Sequence, residues 1–160
     1  MNELRDQLAS LLNSSPVDKS VLTEALQLTL AGFKSQTGTI HVLDPQTQLL
    51  HLVAYSGLPA AMLEVVKVIP VGKGIAGQVV ARGEPVTICN LQTDASGTAR
   101  PGARQSDVSG ALCVPLWRAD AIVGTLGIGT RRQYDYSREE TRALTELGRI
   151  FGERLERLPD

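Results

Sequence analysis

SGALCVPLWRADAIVGTLGIGT, residues 109–130, sets two alternating apolar runs on either side of the polar break Arg118-Ala119-Asp120, and so predicts a β-hairpin. With Trp117 opposite Ala121 across a three-residue loop, Leu116 faces Ile122, Val114 faces Gly124, Leu112 faces Leu126 and Gly110 faces Ile128. That face is large and apolar, fit to carry a layer of helices. The other face sets Ser109, Ala111, Cys113 and Pro115 against Gly129, Gly127, Thr125 and Val123. Its far end is made of small side chains, which leave room for close approach or for a ligand.

N-terminal to the hairpin, residues 2–13 carry Leu4, Leu8, Leu11 and Leu12 on one side of a helix that breaks at Asn13-Ser14-Ser15-Pro16. A second helix over 16–31 is expected, with Ser15 as its cap, Pro16 in its first turn and Asp18 completing a variant capping box. Its buried stripe is Val21, Leu22, Ala25, Leu28 and Thr29. Residues 37–44 and 49–55 read as strands joined by a type I turn at Asp44-Pro45-Gln46-Thr47. A short helix over 60–65 and a strand at 67–69 follow. In PVGKGIAGQVVARGEPVTICN, Gly72 and Gly74 bracket a turn, residues 75–82 make two helical turns, Gly83 caps them and 86–89 return as a strand. The segment Gly72-Lys73-Gly74-Ile75-Ala76-Gly77 has no Walker pattern and no βαβ setting, so its glycines read as a strand-to-helix turn rather than a phosphate cradle.

Residues 91–108, LQTDASGTARPGARQSDV, are polar and rich in Gly, Ser and Pro, as expected of a functional lid or an excursion. Beyond the hairpin, Ser137-Arg138-Glu139-Glu140 is a capping box opening a last helix that runs to about residue 158. Leu144, Leu147, Phe151, Leu155 and Leu158 form its stripe.

The chain has 160 residues, enough for one domain with a proper core. Sixteen basic and 17 acidic residues leave a net charge of −1, which gives no footprint for nucleic acid or an anionic membrane. No apolar run approaches the roughly 20 residues of a membrane span, and the start lacks a leader pattern, so a cytoplasmic protein is expected. Cys89 and Cys113 have no C-x-x-C spacing and are expected to be buried thiols in a reducing compartment. His41 and His51 lie on paired strands. An even-numbered loop pairs residues whose numbers sum to an odd value and points the two to opposite faces, so no metal is expected and both read as partly exposed.

Three stretches taken in order resemble the GAF domain family, the ligand-binding and sensory module of phosphodiesterases, phytochromes, histidine kinases and transcriptional activators. They are the Asp44 hairpin with Ala54-Tyr55-Ser56-Gly57, the segment from Gly72 through Gly77 to Arg82-Gly83-Glu84-Pro85-Val86, and Val114-Pro115-Leu116 with Ile122-Val123-Gly124-Thr125-Leu126. Tyr136-Ser137-Arg138-Glu139-Glu140 with Leu144 is similar to the family's entry into its last helix. The division implied is an N-terminal helix at 1–15 and a single GAF domain at 16–158 that ends in a long helix. The fold implied is α+β, with a central antiparallel sheet of five or six strands, terminal helices on one face, and a pocket under short helices and loops on the other.

Subfamily marks narrow the ligand. The N-K and F-x-x-x-D-E pattern of cyclic-nucleotide binders and the Asp-Ile-Pro of bilin binders are both missing. The stand-alone GAF enzymes that reduce free methionine-(R)-sulfoxide use cysteines in the glycine segment and in the lid loop. Here the first position reads Ala76 and the second falls near Arg104, neither of which can supply a thiolate. The resulting expectation is a non-enzymatic, bacterial-type sensor module without cofactor, binding a small molecule whose identity the sequence does not give. The alternatives are a dimerisation domain without ligand, and a reductase with displaced cysteines.

The pocket candidates are His51, Tyr55, Ala76, Asp94, Arg100, Arg104, Asp107, Ser109, Ala111, Cys113, Thr125 and Gly127. Arg100, Arg104, Asp94 and Asp107 overhang the cavity by the resemblance, an arginine fork being suited to a carboxylate or phosphate. Three leucine-bearing helices exceed what one sheet face covers. Leu4, Leu8, Leu11, Leu155 and Leu158 are therefore expected to form a homodimer contact. With no output domain after residue 160, a signal is expected to pass to a second copy or to a downstream signalling protein.

Overall fold

The computed structural model describes residues 2–13, 16–90 and 108–155. In chain order these form helices α1 (Asn2–Asn13) and α2 (Lys19–Gly32), strands β1 (Thr37–Asp44) and β2 (Leu49–Ser56), helix α3 (Ala60–Val66), strand β3 (Val68–Pro70), helix α4 (Gly74–Arg82), strands β4 (Val86–Ile88), β5 (Gly110–Arg118) and β6 (Ala121–Thr130), and helix α5 (Arg138–Arg154). The six strands make one sheet in the order β3-β2-β1-β6-β5-β4, antiparallel at every pairing. The expected α+β architecture holds. Two hairpins, β1–β2 and β5–β6, are joined side by side through β1 and β6, where Ile40 lies opposite Leu126.

The decisive hairpin differs in register from its reading. Its turn has two residues, Ala119 and Asp120, so that Arg118 faces Ala121 and Trp117 faces Ile122. A bulge then shifts the ladder, bringing Leu116 opposite Gly124, Val114 opposite Leu126 and Ala111 opposite Gly129. Ala119 adopts a left-handed φ of 53° with no glycine or asparagine to announce it, which is why the tight turn is not legible. Beyond the bulge the partners differ from expectation by two positions, an even slip, and every side chain keeps its face. In the first hairpin the loop is four residues, 45–48, and Asp44 closes it by accepting the Gln48 N–H at 2.9 Å.

Even-numbered residues of β5 and β6, with Ile40, form the apolar face and bury Leu112, Val114, Leu116, Leu126 and Ile128 under α2 and α5. Helix α2 starts three residues later than expected. Asp18 itself is the cap, accepting the Val21 N–H at 2.9 Å, and Pro16 lies ahead of the helix. Helix α5 has its full capping box, in which Ser137 Oγ accepts the Glu140 N–H at 3.0 Å and Glu140 Oε1 accepts the Ser137 N–H at 2.9 Å. The Tyr134 hydroxyl donates to the same carboxylate at 2.8 Å. Ser137→Ala should lower stability by about 1 kcal/mol, read as a shifted urea midpoint at unchanged slope.

The terminal leucines are not spare. Helix α1 packs on α2 and α5, and Leu4, Leu8, Leu12 and Leu155 are all buried in the chain's own core, with Leu11 partly buried against it. Arg154 Nε reinforces this by donating to the Leu12 carbonyl at 3.0 Å. The described part of the apolar stripe expected to meet a second copy is thus covered within one chain, because α1 packs as a further layer on α2 and α5. Helix α5 ends at Arg154, and Leu158 lies outside the described residues.

Candidate functional site

The opposite sheet face carries the cavity. Odd-numbered residues of three adjacent strands line up there in rows: Thr37 with Gly129 and Ala111, Thr39 with Gly127 and Cys113, and His41 with Thr125 and Pro115. Small side chains in the first two rows keep the floor low. Helices α3 and α4 stand over it, contributing Met62, Val65 and Val66, then Ile75 and Ala76, while Ile69 lines it from β3, the edge strand of the same sheet. The space left between these layers is about 140 Å³ and is almost wholly apolar.

Local sequence positions the roof. The turn before α4 closes with the Gly72 N–H donating to the Gly77 carbonyl at 2.8 Å, and Gln78 Nε2 donates to the Gly72 carbonyl at 2.7 Å. A side chain at Gly77 would run into the Pro70 carbonyl oxygen, so glycine is what lets the first turn of α4 sit against β3 and bring Ala76 to the cavity. The segment is a strand-to-helix turn, as expected, and Gly83 caps α4 in a left-handed conformation, φ 69°.

Of the expected pocket residues, Ala76, Ala111, Cys113 and Gly127 line the cavity. Thr125 is buried on the same face, in the row of His41, but is not itself a lining residue. Ser109 is half-buried and holds the edge through its N–H to the Thr130 carbonyl at 2.7 Å, without reaching the cavity. Tyr55 lies opposite Thr39, but at 44% exposure it stands outside the lining. His51 is exposed opposite Val42, on the helix-bearing side. Asp94, Arg100, Arg104 and Asp107 fall outside the described residues.

The main residue missed is His41. The even loop does put it on the opposite face from His51, as parity required, but it is 1% exposed rather than partly exposed. It lines the cavity in the middle of the sheet, where β1 is flanked on both sides. Alternation from Thr37 and Thr39 is the signal that places it there. Its Nε2 lies 2.7 Å from the Val66 carbonyl. Since a carbonyl only accepts, Nε2 carries the proton and Nδ1 is left as a bare acceptor. That Nδ1 is buried without a hydrogen-bond partner among the described residues. Burial lowers the His41 pKa to about 4, against a smaller opposing effect of the Val66 bond, so the ring is neutral at ordinary pH.

Burial likewise pushes the Cys113 thiol up to about 12, which makes it a packing residue and not a thiolate nucleophile. Thr125 Oγ1 sits close enough to temper that shift, although it forms no bond of proper hydrogen-bond geometry. Cys89 is exposed, correcting the expectation of two buried thiols; it lies just past the short edge strand β4, with Gln133 Nε2 3.5 Å from its sulfur. Among the described residues no cluster of three metal-ligating side chains exists, and no helix is long and apolar enough to cross a membrane.

Comparison with solved structures places this architecture. The free methionine-R-sulfoxide reductase from Neisseria meningitidis, in complex with its substrate, superposes with a TM-score of 0.81 at 21% identity, over 97% of this chain and 87% of that one. The GAF domain of the Acinetobacter phosphoenolpyruvate-protein phosphotransferase gives 0.77 at 22% identity, over 94% and 89%. The corresponding GAF domain from Coxiella burnetii gives 0.81 at 18% identity, over 96% and 90%. A comparison with curated protein sequences gave no match. The sequence profile described as GAF domain matches residues 19–156, from the start of α2 past the end of α5, and with the six-stranded sheet and its two unlike faces this means that the chain belongs to the GAF domain family.

Proposed function

We propose that the protein is a non-enzymatic GAF module that binds a small molecule in the cavity between the sheet and helices α3 and α4. The observation that carries this reading is the cavity itself. Ala111, Gly127 and Gly129 hold back its floor while Met62, Val66 and Ile75 roof it, leaving a preformed apolar space with a buried imidazole at its side. The non-enzymatic part is supported by the lack of a thiolate nucleophile among the described lining residues. Ala76 stands where the resemblance to the reductases asks for a cysteine, and the one lining thiol, Cys113, is held protonated.

Native mass spectrometry of the purified chain, followed by a thermal-shift screen of small molecules, tests the binding reading, because a ligand that binds only the folded state raises stability by mass action. A bound mass or a shift with at least one class is expected; flat results throughout would remove it. Incubation with methionine-(R)-sulfoxide and a dithiol should give no turnover, and thiol-dependent reduction would replace the binding module with an enzyme. Dimerisation through α1 and α5 is not part of this reading, since Leu4, Leu8, Leu11 and Leu155, expected to carry it, pack within the chain.

A further inference from the structure

The surface of the cavity is almost wholly apolar, and the polar side chains of its lining offer a ligand little. Burial holds Cys113 protonated. His41 Nε2 is bonded to the Val66 carbonyl, and Nδ1 is buried and does not open onto the cavity. Thr37 and Thr39 hold their hydroxyls low on the floor, over Gly129 and Gly127, 2.7 and 3.1 Å from where a Cβ of each glycine would stand. Among the described residues no charged side chain lines the space, so an anion or a cation would give up its hydration without gaining a counter-charge. The volume, about 140 Å³, is close to the roughly 150 Å³ of an apolar protein cavity that stays dry and holds benzene, which sets the scale at a single ring.

We infer that the cavity takes an uncharged, apolar molecule of single-ring size, held by fit and by burial of its surface, with no hydrogen bond or ion pair required for recognition. This rests on the proposed binding reading and adds the ligand's class to it. The driving force is the transfer of apolar surface out of water into a space that is already formed. A hydroxyl added to such a ligand would lose its water partners on entry, and a charge would lose more.

The test titrates the full chain, carrying ¹³C-labelled methionine methyls, with benzene, with phenol as its hydroxylated counterpart, and with benzoate and benzylammonium as its charged ones. Affinity is read by calorimetry and location by the Met62 methyl resonance. The chain has two methionines; Met62 lines the roof at 4% exposure, and Met62→Leu identifies its signal by elimination. Benzene should bind, move the Met62 signal through its ring current, and do so at least about fivefold more tightly than phenol. Benzoate and benzylammonium should leave the signal in place. Phenol binding within fivefold of benzene or more tightly, tightest binding of either charged probe, or a Met62 signal unmoved at benzene saturation would each overturn the inference while leaving the binding reading in place. No binding by any of the four overturns the inference; the proposed function falls with it only if the wider ligand screen is also flat.

Discussion

Leu8→Glu is expected to abolish the folded state. Leu8 is fully buried on the inner side of α1, in the cluster formed with α2 and α5. Truncation to alanine at such a site costs about 2–5 kcal/mol. Glutamate adds an unpaired buried carboxylate, and the two together approach the roughly 5–15 kcal/mol that stabilises a typical domain. Leu155→Glu, at the C-terminal cap of α5 and 2% exposed, acts on the same cluster. The double variant should therefore show a lost far-UV helical signal, whereas a homodimer contact at these leucines would leave a folded monomer. A cooperative, native-like urea transition in Leu8→Glu would mean that α1 is peripheral after all.

Acidification should destabilise the protein earlier than its carboxylates require. The folded state holds His41 at about 4, below the ordinary 6.5, so the unfolded chain binds the proton more readily throughout that interval. Above pH 6.5 both states are neutral at this ring and nothing is lost. As pH falls through 6.5 the unfolded state is favoured progressively, by about 2 kcal/mol at pH 5 and about 3 kcal/mol once pH passes below 4. Urea unfolding at pH 7, 6 and 5 measures this, with His41→Gln as the variant that should lack the component. A stability curve flat between pH 7 and 5 would show that water reaches the imidazole.

Much of the fold was legible because parity and periodicity are robust to small errors. The reading of 109–130 missed both the two-residue turn and the bulge, yet an even slip preserved the two faces, and with them the contrast between a helix-covered side and a side built of small residues. The capping box at Ser137 and the left-handed Gly83 were readable because a local hydrogen-bonding pattern or a backbone conformation demands those residue types. Counting leucines failed for a different reason. Apolar excess says that a helix is covered but not by what, and α1 is covered by α2 and α5. Gly148 and Gly152, four apart in α5, carried an unread signal: a side chain at Gly152 would strike the Trp117 carbonyl, so this face of the helix is pressed onto β5. In the site, the floor was legible from strand alternation, whereas the roof from α3 and the burial of His41 depend on tertiary packing around β1.

Filling the cavity tests its role most directly. Ala111 lies on the floor beside Gly129 and lines the open space, so Ala111→Leu extends into that space. Overpacking an already filled core typically costs about 1–3 kcal/mol, whereas filling a void should cost less. Thermal unfolding of the wild type and Ala111→Leu, each with and without a ligand found by the screen, is the measurement. The expected result is a variant whose ligand-free midpoint stays near that of the wild type and whose ligand-induced rise is lost. A variant that keeps the full rise, or one that loses 1–3 kcal/mol without ligand, would contradict a ligand cavity on this face of the sheet.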